Sequence, residues 1–390
     1  MQWSRCSCQI TNYWFIGLGP NLTPNALLEF VNKDGNIMVA TSSTTPLSTS
    51  LAALLAELDI TLPVERTNTV VDHFNYDTIA SPEEHNVLVV DTPAAIRPGA
   101  KNYYEIPGSV LAVPNVAGHL LGNSQLLTPV LRAPSTAYSY NPKEQAEVIE
   151  ADELFAAGRQ LGLVSVAQAR NSARVAVVGS AEMLQDKWFD TKVSKVGGKK
   201  VTTENREFAR RVSGWTFKEI GVVRVNDVEH HLKGDNETNP SIYRIKNEVS
   251  YYISMSEYVW DKWTAYVAPE GDSVQLEFSM LSPFHRLNLK QKATTADAAV
   301  YSTSFVLPDQ HGIFNFLVNY KRPFLTSIEE KRTVSVRHMA HDEWPRSYVI
   351  SGAWPWISGI FATITGFLGF CALWMYSKPT PKASVGKKTQ

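Results

Sequence analysis

The sequence predicts an α/β domain with an open, mostly parallel sheet, followed by an antiparallel β-sandwich and one C-terminal transmembrane helix. Three observations carry this. Residues 23–220 alternate helical and strand periods, and the strands are near-continuous apolar runs, as in a sheet covered on both faces. From Val222 the apolar period becomes two, with Asn, Gly, Asp and Pro separating short runs. Between Arg346 and Lys378 no residue carries a charge. The expected organisation is an α/β domain over 1–220, a sandwich over 221–345, a membrane helix over 354–376 and a tail over 377–390.

In chain order, Thr23-Pro24 opens a helix with a cap and then a proline, and Leu27, Leu28, Phe30 and Val31 share one face. Asp34-Gly35 ends it, and Asn36 to Ala40 form a short strand. A second helix carries Leu47, Leu51, Leu54, Leu55 and Leu58 at helical spacing. Val87 to Val90 is a further buried strand. Leu161 to Ala169 and Arg174 to Val178 form a strand pair about the turn Arg170-Asn171-Ser172, and Glu204 to Lys218 is the last helix. Seven period-two runs follow, starting at VVRVNDVEHHL (from Val222) and ending at RTVSVRHM (to Met339), and HDEWPRSY leads to the membrane.

At ~1.5 Å per residue, Trp356 to Met375 reaches ~30 Å, the hydrocarbon thickness of a bilayer. Trp354 and Trp356 at one rim, and Trp374 and Tyr376 at the other, suit the headgroup region. Lys378, Lys382, Lys387 and Lys388 follow the span with no acid among them, whereas Arg337 and Arg346 before it are balanced by Asp342 and Glu343. The positive-inside rule then places the tail in the cytosol and the preceding domains in the lumen. Lys387 and Lys388 in the terminal KKTQ read as a dilysine signal, recognised by coat proteins that return cargo to the endoplasmic reticulum.

Apolar residues make up 44% of the chain, enough for a substantial core, and a net charge of −1 without a basic run excludes a nucleic-acid surface. The three cysteines are Cys6, Cys8 and Cys371, so the core and not a disulfide framework holds the fold. MQWSRCSCQITNYWFIGLGP makes a poor export signal, because its apolar part, Tyr13 to Leu18, is short. The true N-terminus is expected to lie outside this sequence.

No set of residues suggests catalysis, a cofactor or a metal. Gly179-Ser180 follows a strand, but VVGSAEM lacks the nucleophile elbow G-x-S-x-G, and the pair reads as a turn with a helix cap. Gly-rich phosphate loops and Asp-x-Asp are absent. Asp72-His73 with Asn75-Tyr76-Asp77 is the densest polar cluster, expected to be a structural loop bonded to its own backbone. His230 and His231 alternate across a strand and suit no shared ion. His338 and His341 near Glu343 read as a polar collar above the headgroups. Two sequons occur, at Asn21 and Asn236; Pro24 disfavours the first, so Asn236 is the glycosylation candidate. Within the span Ser358, Ala362 and Gly366, extended by Gly369, form a strip of small residues on which another helix can pack closely.

Five blocks, VVDHFNYD (Val70 to Asp77), AQARNSARVAVVGS (Ala167 to Ser180), GWTFKEIGVVRV (Gly214 to Val225), LPDQHGIFNFLVNYKR (Leu307 to Arg322) and SVRHMAHDEWPR (Ser335 to Arg346), resemble the wheat-germ-agglutinin-binding-protein (DDOST-type) subunit of oligosaccharyltransferase, in a fungal form. The resemblance runs in order from about residue 21 to the C-terminus. It implies a type I protein of the endoplasmic reticulum membrane, in a complex that moves a preassembled glycan from dolichyl diphosphate to the asparagine of N-x-S/T sequons. It also implies that catalysis belongs to a different, multi-span subunit, so no catalytic residue is carried over. Members of the family begin with a signal peptide and a strand–helix–strand ahead of the segment matching Asn21. Residues 1–20 match neither, hence the expectation of an incomplete sheet. Two other classes compete: a receptor for cargo or glycans cycling between endoplasmic reticulum and Golgi, which has the same topology without the five blocks, and a membrane-anchored hydrolase, which lacks its elbow.

Overall fold

The computed structural model describes residues 23–45, 47–63, 67–92, 96, 100–142, 154–235, 237–344, 351–376 and 378. Helix α1 (Pro24–Asn32) begins where Ala26 N–H donates to the Thr23 hydroxyl at 3.3 Å, with Pro24 in its first turn. It stops at Asp34, which takes a φ of 66°, and at Gly35, where a Cβ would lie 2.2 Å from the Phe30 ring. Helix α2 (Thr49–Glu57) is capped by Ser48 and buries Leu54 and Leu55.

The main sheet of the first domain contains β1 (Ile37–Ala40), β2 (Leu127–Arg132), β3 (Gly162–Gln168) and β4 (Arg174–Val178), in the spatial order β1-β4-β3-β2. All of β4 and nearly all of β3 are buried. Val31 of α1 and Leu55 of α2 pack with Val39, Val175 and Val177 on one face. On the other face Ala176 and Val178 join Phe208, Val212 and Trp215 of α3 (Asn205–Thr216). Two-sided burial is therefore as expected, but the strand directions are not. Only β1 and β4 run parallel, while β4–β3 and β3–β2 are antiparallel. The expected mostly parallel sheet is corrected by a hairpin: Ser172 adopts a φ of 66°, Asn171 accepts from Ala173 N–H, and so short a connection can join only antiparallel strands. Continuous apolar runs report burial of both faces, not strand direction.

Residues 220–337 form two five-stranded sheets face to face. One contains Ile220–Leu232, Glu248–Val259, Lys262–Ala265, Ala299–Val306 and Lys290–Thr294. The other contains Ile242–Arg244, Ile328–Arg337, Gly312–Tyr320, Gln275–Ser279 and Pro283–Asn288. Every pairing is antiparallel except that of Ile242–Arg244 with Ile328–Arg337. The core between them is aromatic, with Phe278 stacked on Phe314 at 4.6 Å and Tyr251 on Phe316 at 5.5 Å. Pro283–Asn288 and Lys290–Thr294 were not foreseen; both are largely exposed and polar, and lack the apolar alternation that marks a strand.

Helix α4 (Trp354–Met375) has Pro355 in its first turn and is long and apolar enough to cross a membrane. All of its side chains but Cys371 are exposed. A helix so apolar cannot remain in water at that exposure.

Candidate functional site

The residues that suggested chemistry turn out to be structural. Ser180 is fully buried; its hydroxyl donates to the Pro114 carbonyl at 2.5 Å and accepts from Met183 N–H, capping the short turn Glu182–Leu184. Asp72 is also fully buried and accepts from the N–H groups of Phe74 and Asn75 and from the side chains of Asn75 and Thr136. Burial raises its pKa, but these hydrogen bonds outweigh burial and leave it below the ordinary carboxylate value. Asp77 likewise accepts from Ile79, Ala80 and Ser194 N–H. The polar cluster is thus a loop braced on its own backbone, with His73 at its surface bonded to His85 and Tyr138.

His230 lies inside the sandwich, bonded to the Tyr243 hydroxyl at 2.6 Å, while His231 stacks on Tyr252 on the opposite face. Glu343 accepts a bidentate pair from Arg337, 2.8 Å each. Arg337 holds the Glu343 carboxyl down at about 2, and the His338 and His311 rings lie 3.9 Å apart with their planes tilted by 37°. These residues thus form ion pairs and ring contacts with one another.

One further pair resembles catalytic machinery. His119 Nε2 lies 2.6 Å from Ser165 Oγ, both fully buried, and burial holds the histidine neutral with its pKa lowered to about 4. Neither side chain is exposed, and Gly162 is needed beside the pair because a Cβ would lie 2.8 Å from Nε2. A nearby groove of about 390 Å³ is lined by Leu120, Leu121, Pro129, Arg132, Gln160 and Gly162, without a carboxylate. Among the described residues no three His, Cys, Asp or Glu side chains are placed to hold a metal.

The distinctive geometry lies where the two domains meet, and the sequence reading passed over it. Arg174 opens β4 and is fully buried. Its guanidinium donates to the carbonyls of Trp215 at 2.5 Å, Ile220 at 2.8 Å, Gly221 at 2.6 Å and Phe324 at 3.4 Å, and it lies over the Trp215 ring at 4.7 Å. The Trp215 carbonyl belongs to the last turn of α3, where helical acceptors are left over and a cation is favoured. Trp215 Nε1–H in turn donates to the Phe324 carbonyl at 2.9 Å. Burial lowers the arginine pKa to about 10, so it stays charged at neutral pH. Gly221 takes a φ of 70°, and a Cβ there would lie 2.6 Å from the Phe324 oxygen. Ser327 N–H also donates to Ser172 Oγ at 2.9 Å, tying the sandwich turn to the β3–β4 hairpin. On the far side of the junction, Glu257 is buried in the sandwich and accepts from Lys101 at 2.7 Å and the Tyr103 hydroxyl at 2.6 Å. A lone arginine heading the otherwise apolar run RVAVV was the available signal.

Ser358, Ala362, Gly366 and Gly369 all lie exposed on α4, with nothing within 4 Å of a Cβ placed on either glycine. Asn236, Lys387 and Lys388 lie outside the described residues.

The chain matches the family model for the OST48 N-terminal domain over residues 15–219 and that for the OST48 middle domain over residues 230–378. It is 34% identical over 380 residues to the dolichyl-diphosphooligosaccharide–protein glycosyltransferase subunit wbp1 of Schizosaccharomyces pombe, covering 96% of this chain and 81% of that protein. The glycosyltransferase 48 kDa subunits of Caenorhabditis elegans and Danio rerio are 32% and 31% identical, over 93% and 94% of this chain and 78% and 79% of theirs. The two models together span most of the sequence, and four of the five blocks fall within them, the fifth, Gly214 to Val225, lying across the end of the first: the chain belongs to the OST48 family.

Proposed function

We propose that this chain is an accessory, non-catalytic subunit of an oligosaccharyltransferase complex in the endoplasmic reticulum membrane. That complex transfers a preassembled glycan from dolichyl diphosphate to the asparagine of N-x-S/T sequons. The observation that carries the proposal is similarity along nearly the whole chain to relatives named as subunits of that glycosyltransferase. The structural roles of Ser180, Asp72 and His119 support a subunit that contributes shape and not a reacting group. In this reading both folded domains are lumenal, α4 spans the bilayer, and the tail with Lys387 and Lys388 is cytosolic and available to coat proteins. The strip Ser358, Ala362, Gly366 and Gly369 faces a neighbouring helix of the complex, since close backbone approach drives association where no hydrophobic effect operates. Asn236 is a lumenal glycan acceptor.

The test is a pull-down from digitonin extract. Co-purification of a multi-span glycosyltransferase is expected; recovery with coat and cargo proteins alone would favour a cycling receptor instead. His73→Ala, at the surface of the polar cluster, should leave the transfer rate of the purified complex unchanged. A large fall with intact assembly would mean that this chain takes part in the chemistry. In sealed microsomes, protease should remove only the tail, and digestion of the sandwich would reverse the orientation. Replacing Lys387 and Lys388 by serine in an unassembled, tagged copy should shift it towards the Golgi.

A further inference from the structure

The sandwich has one end against the α/β domain and one end from which the chain leaves for α4. Phe324, Leu325 and Glu257 mark the first end, through their contacts with Arg174, Gln168 and Lys101. Strand directions fix the second. Ile328–Arg337 runs away from the α/β domain, Gly312 pairs with Val336, Ile242 with Ser335, and Ser279 with Pro283 at the same end. The large apolar side chains exposed between residues 221 and 344 concentrate there. Ile242 is 59% exposed, Leu281 99%, Val306 52%, Ile313 63% and Trp344 52%, with Phe284 beside them; only Val267 lies elsewhere. Ile313, Ser335 and Ile242 form one outward row across three strands, and Leu281 tops the turn between Gln275–Ser279 and Pro283–Asn288. The ionic groups of this end are largely paired with one another, Lys246 with Asp309, and Arg337 and Arg244 with Glu343.

An apolar surface of this kind marks an interaction site. The covalent tether identifies what meets it. From Trp344 to Ser351, at no more than ~3.6 Å per residue, the chain cannot exceed ~25 Å whatever its conformation. Trp354 and Trp356, the rim of the span, follow three and five residues later. This end of the sandwich is therefore held within about that distance of the headgroup layer.

We propose that the outer end of the sandwich docks on the lumenal bilayer surface, with Leu281 and Ile313 inserted among the lipid headgroups and Trp344 at the interface. Aromatic and aliphatic side chains on a mostly charge-paired surface suit that zone. Docking gives the lumenal domains a fixed height above the membrane. The proposal rests on the reading of α4 as a span.

The experiment places one spin label at a time on the full-length chain, with Cys6, Cys8 and Cys371 replaced by serine, in phosphatidylcholine vesicles and in the purified complex. Labels at Leu281→Cys and Ile313→Cys are compared with Val267→Cys on the flank and Leu373→Cys on α4, using relaxation by oxygen against relaxation by an aqueous nickel chelate. The expected result is an oxygen-to-nickel ratio severalfold higher at 281 and 313 than at 267, approaching that at 373. Free access of nickel to 281 and 313, with 373 in lipid, overturns docking while leaving the span intact. Shielding from both reagents means that a protein subunit covers this end, and also overturns it. Nickel access at 373 equal to that at 267 removes the span and the proposal with it.

Discussion

At its upper end the sandwich meets the α/β domain through Arg174, Trp215, Lys101 and Glu257, polar groups whose partners lie within the chain. At its lower end it presents Leu281, Ile313 and Ile242 to the surroundings. The difference is one of directionality. Hydrogen bonds from a planar guanidinium to four carbonyls hold only at one mutual angle of the domains, so the upper junction sets a geometry. Apolar contact has no preferred direction, and suits a partner with no fixed atoms, such as a lipid surface.

The largest effect is expected where this comparison is broken at Arg174. Arg174→Met keeps most of the volume but removes the charged donor shared by the carbonyls of Trp215, Ile220, Gly221 and Phe324. Each hydrogen bond from a charged donor contributes ~1.5–3 kcal/mol, so the combined loss is the largest expected in this chain. Urea unfolding should show it, along with new protease cuts near residues 217–221. Unchanged stability would mean that the junction is held by its apolar contacts alone.

Acid should loosen the same domain. Burial lowers the pKa of His119 from 6.5 to about 4, so the unfolded chain binds a proton first as pH falls. The stabilising contribution is complete above about pH 6.5 and is lost as pH falls from there towards 4, roughly 2 kcal/mol by pH 5. His119→Gln, able to bond Ser165 without titrating, should flatten the urea midpoint between pH 7.5 and 5. An equally steep dependence in the variant would assign the effect to other groups.

On α4, Gly366→Leu tests the strip against the rest of the helix. Nothing in the chain lies near a Cβ at that position, so insertion survives, while overpacking a tight contact with a neighbouring helix costs ~1–3 kcal/mol. That is roughly ten- to a hundredfold in assembly. Recovery of the multi-span subunit in a digitonin pull-down, with Leu373→Ala as control, reads it; equal recovery would turn the strip towards lipid.

How much of this was legible in the sequence depended on whether a feature was local. Thr23-Pro24, the Asp34-Gly35 stop, the β3–β4 hairpin and the uncharged span are written in adjacent residues and are found where expected. The mixed sense of the whole sheet was not, because a continuous apolar run looks the same in either direction. Arg174 itself was visible, but its partners lie 41 to 150 positions away, beyond any periodicity. The apolar lower end was hidden for a similar reason. Ile242, Leu281 and Ile313 come from three separate runs, each with unremarkable alternation, and share a surface only once the register of the sheet is set.

The smallest effect is expected at that lower end, and its smallness is informative. Leu281 is 99% exposed, so the folded chain gives it no more shelter than the unfolded one. Burial stabilises by about 25 cal/mol per Å² of apolar surface removed from water, and here almost none is removed. Leu281→Ser should therefore shift the urea midpoint of the detergent-solubilised chain by less than ~0.5 kcal/mol, as for other surface positions. Phe278→Ser, fully buried in the same sheet, should cost several times more, because it empties the aromatic core and strands a hydroxyl there. If Leu281→Ser costs as much as Phe278→Ser, the leucine packs within the fold and the lower end is not a free apolar surface. If it costs nothing, Leu281 lies free of the fold, and the contrast between the two ends of the sandwich stands.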